Sequence, residues 1–416
     1  MTPVVSVSKE SGLKVFGPVN IHVKKGVIDV LGKIFAEDSR VIVHKTKTYI
    51  IRALEDSELD MLMGEEASYQ PLDEDDPYLV KYALAQEIAS SHGGLIVLVG
   101  GTDSGKSSFA TLLSNLVLRR SGSPVIIDGD VGQSNLGPPG FVSAGRVAEP
   151  VLWAGEVKPE KLRFIGDVKP HGNIWKIISS VKELAAEFIK AGSTHIIVDT
   201  DGWIRDEKGL RYKVSLISTI NPNYIVVFGT ELSPYFRKFS SQGVKVCEFK
   251  ISSTRKVRSR EERRILRSMK YREYLYEAPI IKLGFENLIV NGLPILEGIP
   301  VELSHVDKFI EGKVTYASLL PDKLCLAGTM RRVEEDGLKK EFGVAKISVF
   351  EPGAEKNLYA AVSNGDFEYP ALIDKIDFQG RKIIIKTRFT DKINEVKVSA
   401  IRLRDDFTEE FLEVFP

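Results

Sequence analysis

Apolar and polar positions alternate through the first seventy residues, give way to solid apolar runs, and alternate again in the last third of the chain. In NIHVKKGVIDVLG, Ile21 and Val23 face one way and their polar neighbours the other, and SRVIVHKTKTYIIRAL repeats the habit between glycines. This period of two predicts a small antiparallel β domain over residues 1–70. From Ala53 to Val80 there are ten carboxylates and no Lys or Arg, with Pro71 and Pro77 bracketing LDEDD, a composition that favours a solvated connector. The next stretch, residues 71–278, interleaves LIVLV, VIID, HIIVDT and YIVVFG with helical patterns. Phe109, Leu112, Leu113, Leu116 and Val117 share one helix face, and Ile174, Ile177, Ile178, Val181, Leu184 and Phe188 share another. Short runs rich in β-branched residues between amphipathic helices predict an α/β domain, with a parallel sheet and helices on both faces. Residues 279–416 return to strands such as KLCLAGTMRRV and RKIIIKTRF, so a C-terminal β-rich domain is expected.

Composition narrows the classes. The 416 residues exceed one ordinary core, which agrees with two or three domains. No stretch approaches the ~20 apolar residues of a membrane span. MTPVVSVSKESGLKV carries no basic region followed by an apolar run, so residence in the cytoplasm, away from membranes, is the expectation. Cys247 and Cys325 lie far apart without ligand spacing, which supports neither a disulfide framework nor a zinc site. Fifty-seven basic residues balance 57 acidic ones, so any site for a polyanion must be a local basic patch. That patch is SSTRKVRSREERRILRSMKYREYLY, with nine Lys or Arg against three Glu. Arg260, Arg263, Arg264 and Arg267 recur in it at helical spacing.

One motif carries the chemistry. Gly100, Gly101, Thr102, Asp103, Ser104, Gly105, Lys106 and Ser107 match GxxxxGK[ST] directly after an expected strand and before an expected helix, the setting of a P-loop. Glycines let the loop turn its N–H groups toward phosphate oxygens, and the helix N-terminus adds partial positive charge. Lys106 would reach the β and γ phosphates of a nucleotide, and Ser107 would place its hydroxyl on Mg²⁺. About twenty residues on, VIIDGDVGQ delivers Asp128 and Asp130 to the carboxyl end of a strand, where ligands collect in open α/β sheets. A carboxylate there either holds the metal, polarises a nucleophile or caps a turn. Gln133 follows in the same loop and could position a hydroxyl or a water.

The chain resembles the polynucleotide 5′-hydroxyl kinase family, which includes the RNA kinase subunit of the eukaryotic pre-mRNA 3′-end cleavage machinery and the ribosomal-RNA processing kinases. GGTDSGKSS (Gly100 to Ser108), DGDVGQSNLGPPG, FIGDVKP, TDGW (Thr200 to Trp203) and the arginine-rich segment carry the likeness, in matching order, toward a prokaryotic or archaeal-type member. The resemblance implies ATP with Mg²⁺ as cofactors and an RNA or DNA 5′-hydroxyl end as acceptor, with RNA-processing proteins as candidate partners. It implies that Gly100 through Ser108 bind nucleotide, and that Asp130 is the acid nearest the reacting hydroxyl and metal, with Gln133 beside it. Thr200 and Trp203 would clasp the polynucleotide end, where an indole face can stack any base; core packing is the other reading of Trp203. The basic segment is by resemblance a lid, with Arg258 and Arg263 on the transferred phosphate and Arg260, Arg264 and Arg267 nearby. A solvated helix salt-bridged through Glu261 and Glu262 is the alternative. Two positions depart from the pattern, Lys169 before Pro170 and Asp201 inside TDGW. Glu10 is a candidate for the adenine side. Two rival readings stay open, a nucleotide-binding scaffold without turnover and an NTPase switch that passes phosphate to water.

Overall fold

The N-terminal alternation folds as two small sheets. One has the strand order Val4–Val7, Ser57–Met63, Val19–Lys25, Arg40–Val43, and the other Lys33–Phe35, Ile28–Val30, Thr48–Ala53, Gly12–Phe16, Ser68–Pro71. Ile21 lies opposite Met61 and Val23 opposite Leu59, all four fully buried. The acidic stretch from Ala53 to Val80 is therefore not simply a connector. Ser57–Met63 is a strand whose Leu59 and Met61 point inward while Glu58 and Asp60 point outward. Charge composition masked a period of two, and the strand wins because its apolar face is buried.

The computed structural model describes residues 4–45, 47–250 and 259–412, and the chain divides into two units. The first comprises Met1–Asp130, Ala144–Glu160 and Ile177–Val257, the second Val131–Ser143, Lys161–Lys176 and Arg258–Pro416. In the first, five parallel strands run in the order Pro124–Asp128, His195–Asp199, Gly94–Gly100, Tyr224–Phe228, Lys245–Phe249. Four are the expected apolar runs; Lys245–Phe249 joins them at one side. The helix Lys106–Arg119 buries the expected Phe109, Leu112, Leu113, Leu116 and Val117, and Phe109 packs against Phe228 and Phe249.

That helix also anchors the N-terminal sheets. Asp29, fully buried, accepts from Arg119 Nη1 at 2.9 Å, Tyr82 OH at 2.7 Å and the Gly32 N–H at 2.7 Å. Asn115 Nδ2 donates to the carbonyls of Leu31 and Val151 at 2.7 Å each. A buried carboxylate is tolerable only when so many donors meet it, and here the donors fix the N-terminal sheets to the helix that begins at the phosphate loop.

The second unit is β-rich. Its larger sheet has the order Ile280–Gly284, Lys382–Lys386, Glu368–Asp377, Leu358–Ser363, Glu395–Leu403, Ile289–Asn291; a four-stranded sheet of residues 299–350 carries a separate core around Leu324, Leu326 and Leu338. The arginine-rich helix spans Arg260–Leu275 and opens with a capping box of Ser259 and Glu262. Its buried face is Tyr271, Tyr274 and Leu275, with Tyr271 edge-on to Tyr359 at 4.9 Å. Among the described residues, no helix is long and apolar enough to cross a membrane.

Candidate active site

The central strand Gly94–Gly100 ends in the sequence motif and the helix Lys106–Arg119 starts from it. Two residues of the loop take left-handed backbone, Asp103 with φ 55° and Gly105 with φ 95°. Glycine adopts this freely; Asp103 is one of the few side-chain-bearing types that tolerate it. Lys106, only 6% exposed, folds back on its own loop, donating from Nζ to the carbonyls of Gly100 and Gly101 at 2.9 Å each. Ser104 Oγ is buried with no hydrogen-bond partner. A buried hydroxyl without a partner and an ammonium held only by neutral carbonyls suit a loop built to receive phosphate oxygens. Thr102 and Ser108 are exposed at its rim.

Ser107 Oγ donates to Asp199 Oδ2 at 2.5 Å. Asp199 ends the strand His195–Asp199, which sits directly beside the P-loop strand, and P-loop proteins place their metal-side acid on such a strand end. No local motif in the sequence marks it as part of the site. Burial holds its carboxyl above the usual carboxylate range, with neighbouring Asp130 acting in the same direction, against the opposing effects of Lys106 and the Ser107 hydroxyl. Its other oxygen, Oδ1, is buried without a hydrogen-bond partner. A divalent cation between Ser107 and Asp199 would satisfy that oxygen, so the residues fit Mg²⁺. Among the described residues no cluster of three or more His, Cys, Asp or Glu could hold a metal.

Asp128 ends the neighbouring strand in register with Asp199. It is buried, and its Oδ1 accepts the N–H of Asp130 at 3.0 Å, while the Gly129 N–H donates to the Asp199 carbonyl at 2.9 Å. Asp128 thus shapes the turn that presents the half-buried Asp130. Asp130 acts electrostatically on both Asp199 and Lys213, which places it in the same group of charges as Lys106.

The TDGW turn lies against the P-loop. A Cβ on Gly202 would overlap Oγ1 and the backbone of Thr102, so only glycine permits this approach. Thr200 is buried and its hydroxyl donates to the Leu98 carbonyl at 2.8 Å. Asp201, which departs from the family pattern, turns inward. Its Oδ2 is 2.6 Å from Nζ of Lys213, whose side chain is fully buried, and its Oδ1 accepts the Trp203 N–H at 2.8 Å. Burial lowers the proton affinity of Lys213, and Asp201 opposes that shift. Trp203 is half-buried, its Nε1 donating to Asp206 Oδ2 at 2.8 Å and its ring 6.1 Å from that of Tyr212. Asp206 also caps the helix Glu207–Ile220 through the Gly209 N–H. Lys213 was not singled out from the sequence either. On an amphipathic helix it reads as an ordinary charged residue, and its partner lies twelve residues back, at no helical spacing.

Of the remaining candidates all but Glu10 belong to the second unit. Gln133 Nε2 donates to the Arg263 carbonyl at 3.4 Å, which brings these two together. Arg264 lies 3.7 Å from Glu261, and Arg260 is exposed at the helix start. Arg267 is committed elsewhere: Nε and Nη2 engage Glu409 at 2.6 and 2.7 Å, and Tyr271 donates to the same carboxylate. Arg258 lies outside the described residues. Glu10 sits at an exposed turn with φ 67°.

Residues 100–277 match the family described as the mRNA cleavage and polyadenylation factor CLP1 P-loop. A polyribonucleotide 5′-hydroxyl-kinase of Methanocaldococcus jannaschii is 26% identical over 76% of this chain and 88% of its own length. One from Pyrococcus furiosus is 25% identical over 79% of this chain and 93% of its own. Among solved structures, that of the wild-type Clp1p–Pcf11p complex aligns with a TM-score of 0.64 at 15% identity, covering 97% of this chain and 98% of the other, a likeness of fold.

Proposed function

We propose, from the premise that this chain belongs to the CLP1 P-loop family through residues 100–277, that it is an ATP-dependent polynucleotide 5′-hydroxyl kinase acting on RNA ends. The observation that carries the reading is the packing of the TDGW turn onto the P-loop at Gly202 and Thr102, which supports Trp203, the next residue of the turn, as the acceptor platform. The names of the archaeal relatives support the same acceptor.

In this reading Lys106 leaves the carbonyls of Gly100 and Gly101 and takes the β and γ phosphates, with the N–H groups of Gly101 to Ser107 around them. Ser107 and Asp199 hold Mg²⁺, with Asp128 and Asp130 at the adjoining strand end. When bound, the ion neutralises charge on the phosphate oxygens. Asp130 orients the attacking 5′-hydroxyl and accepts its proton as the new O–P bond forms and the bond to the ADP oxygen breaks. Trp203, held by Asp201, Asp206 and Tyr212, stacks the terminal base. By the family resemblance, Gln133 would orient the hydroxyl, Arg258 and Arg263 would act on the transferred phosphate, and Arg260 and Arg264 would supply further positive charge. Arg267, with its fork on Glu409, anchors the helix instead of reaching substrate. Thr200 supports the turn through Leu98. In sequence, the P-loop domain of residues 71–278 would carry this chemistry, with β-rich domains at 1–70 and 279–416.

Incubation with γ-labelled ATP and a 5′-hydroxyl oligoribonucleotide tests the reading, with label expected at the 5′ end. Absence of label across divalent metals and temperatures would sink it. Phosphate release to water at the same rate with and without the oligonucleotide would favour an NTPase switch. A matched DNA oligonucleotide in competition reports the preference between the two acceptors.

A further inference from the structure

The first unit has an open cavity of about 470 Å³ between the helix Glu207–Ile220 and the segment formed by Ser233–Phe236 and the turn after it. This volume falls in the range, roughly 300–1,000 Å³, that encloses small organic ligands. Leu210, Val214 and Pro234 give it apolar lining. Tyr235, 50% exposed, stands at the wall with two cations, Arg211 and Lys238, and none of the described lining residues is acidic.

The cavity is lined from the helix that follows the Trp203 turn. Trp203 packs on Gly209, where a Cβ would come within 2.9 Å of the indole Cδ1, and Leu210 and Arg211 are the next two residues of the same helix. Nη2 of Arg211 is 2.6 Å from Glu207, but the two side chains are 78% and 75% exposed. An ion pair so open to solvent contributes little, so the guanidinium can exchange its carboxylate for a phosphate.

Single-stranded polynucleotide is bound by aromatic faces that take bases and by cations spaced along the backbone. The groove supplies both, on the same helix against which Trp203 packs. We propose that it holds the nucleotides immediately 3′ of the reacting end, with a base stacked on Tyr235 and phosphates on Arg211 and Lys238. The inference rests on the kinase reading, and it adds a second subsite that makes a polynucleotide a better acceptor than a nucleotide.

Label transfer to a 5′-hydroxyl dinucleotide and to a strand of about ten nucleotides tests it, with wild type, Tyr235→Ala and the Arg211→Ala/Lys238→Ala double variant. Wild type is expected to show a lower KM for the longer acceptor. Tyr235→Ala should cut that length advantage about tenfold. The double variant should flatten the dependence of log affinity on log salt by about 1.4, at ~0.7 for each lost phosphate contact. Wild-type transfer without a length advantage overturns the groove, as does an advantage that survives all three substitutions. If wild type transfers no label, the kinase reading fails by itself. Anisotropy of the same fluorescent ten-nucleotide strand then decides the groove: weaker binding by the variants keeps it, and unchanged binding removes it.

Discussion

Two buried lysines face the same group of carboxylates, and they are held in opposite ways. Lys106 in the phosphate loop is bonded to two neutral carbonyls, whereas Lys213 behind the TDGW turn is paired with the carboxylate of Asp201. An ammonium held by dipoles keeps its full charge for an incoming anion. One paired with a buried carboxylate has its field largely cancelled, and separating the pair leaves two ions in a low-dielectric interior. Lys106 is thus available to a ligand and Lys213 is architectural, although both influence Asp199.

Substitutions should separate the two roles. Lys106→Ala is expected to lower transfer in the labelling assay by roughly a thousandfold or more. In the same variant, denaturant unfolding should show a loss of at most about 2 kcal/mol. Lys213→Met should do the reverse. Stranding Asp201 should cost about 3–5 kcal/mol in that experiment, and adding Asp201→Asn should recover much of the loss because no unpaired ion remains. If the double variant stays as unstable as the single, the pair is not what holds the turn. Asp206→Ala removes both the helix cap and the partner of the indole N–H, with an expected loss of ~1 kcal/mol and a higher KM for the polynucleotide.

The smallest effect is that of a third buried group, which like Lys106 has neutral partners. His195 contacts the Thr194 hydroxyl at 2.9 Å and the Ile88 carbonyl at 3.1 Å, and burial lowers its pKa below the ordinary 6.5. The unfolded chain then binds the proton first as pH falls. The stability this group contributes is fully present above about pH 6.5 and is lost toward the depressed folded value. His195→Gln should flatten that part of the Tm-versus-pH curve.

Much of the sheet could be read in advance because strands buried on both faces leave apolar runs that few other structures produce. Lys245–Phe249 was harder to see, since KVCEF mixes exposed and half-buried positions. The P-loop was legible because its chemistry is contiguous. Asp199 was not, although the strand HIIVD ends in an acid just as PVIID does. What sets it beside Ser107 is strand order, since His195–Asp199 lies between the other two strands, and no local pattern records that order. The same limit hid the Asp201–Lys213 pair, where an acid that looked like a departure at the substrate face is internal and neutralised. Arg267 shows the converse. Helical spacing placed it correctly on a helix with its fellow arginines, but its partner Glu409 is 142 residues away.

The Gly202 contact has a thermodynamic reach. Because the turn that carries Trp203 rests directly on Thr102 of the phosphate loop, neither can be displaced without straining the other. If Trp203 is the platform proposed for the strand end, a nucleotide that orders the loop should also order that platform, and linkage would then make the polynucleotide tighten nucleotide binding by the same factor. A side chain at position 202 would weaken each ligand alone and also erase their mutual dependence. The two substrates would then bind as strangers to one another.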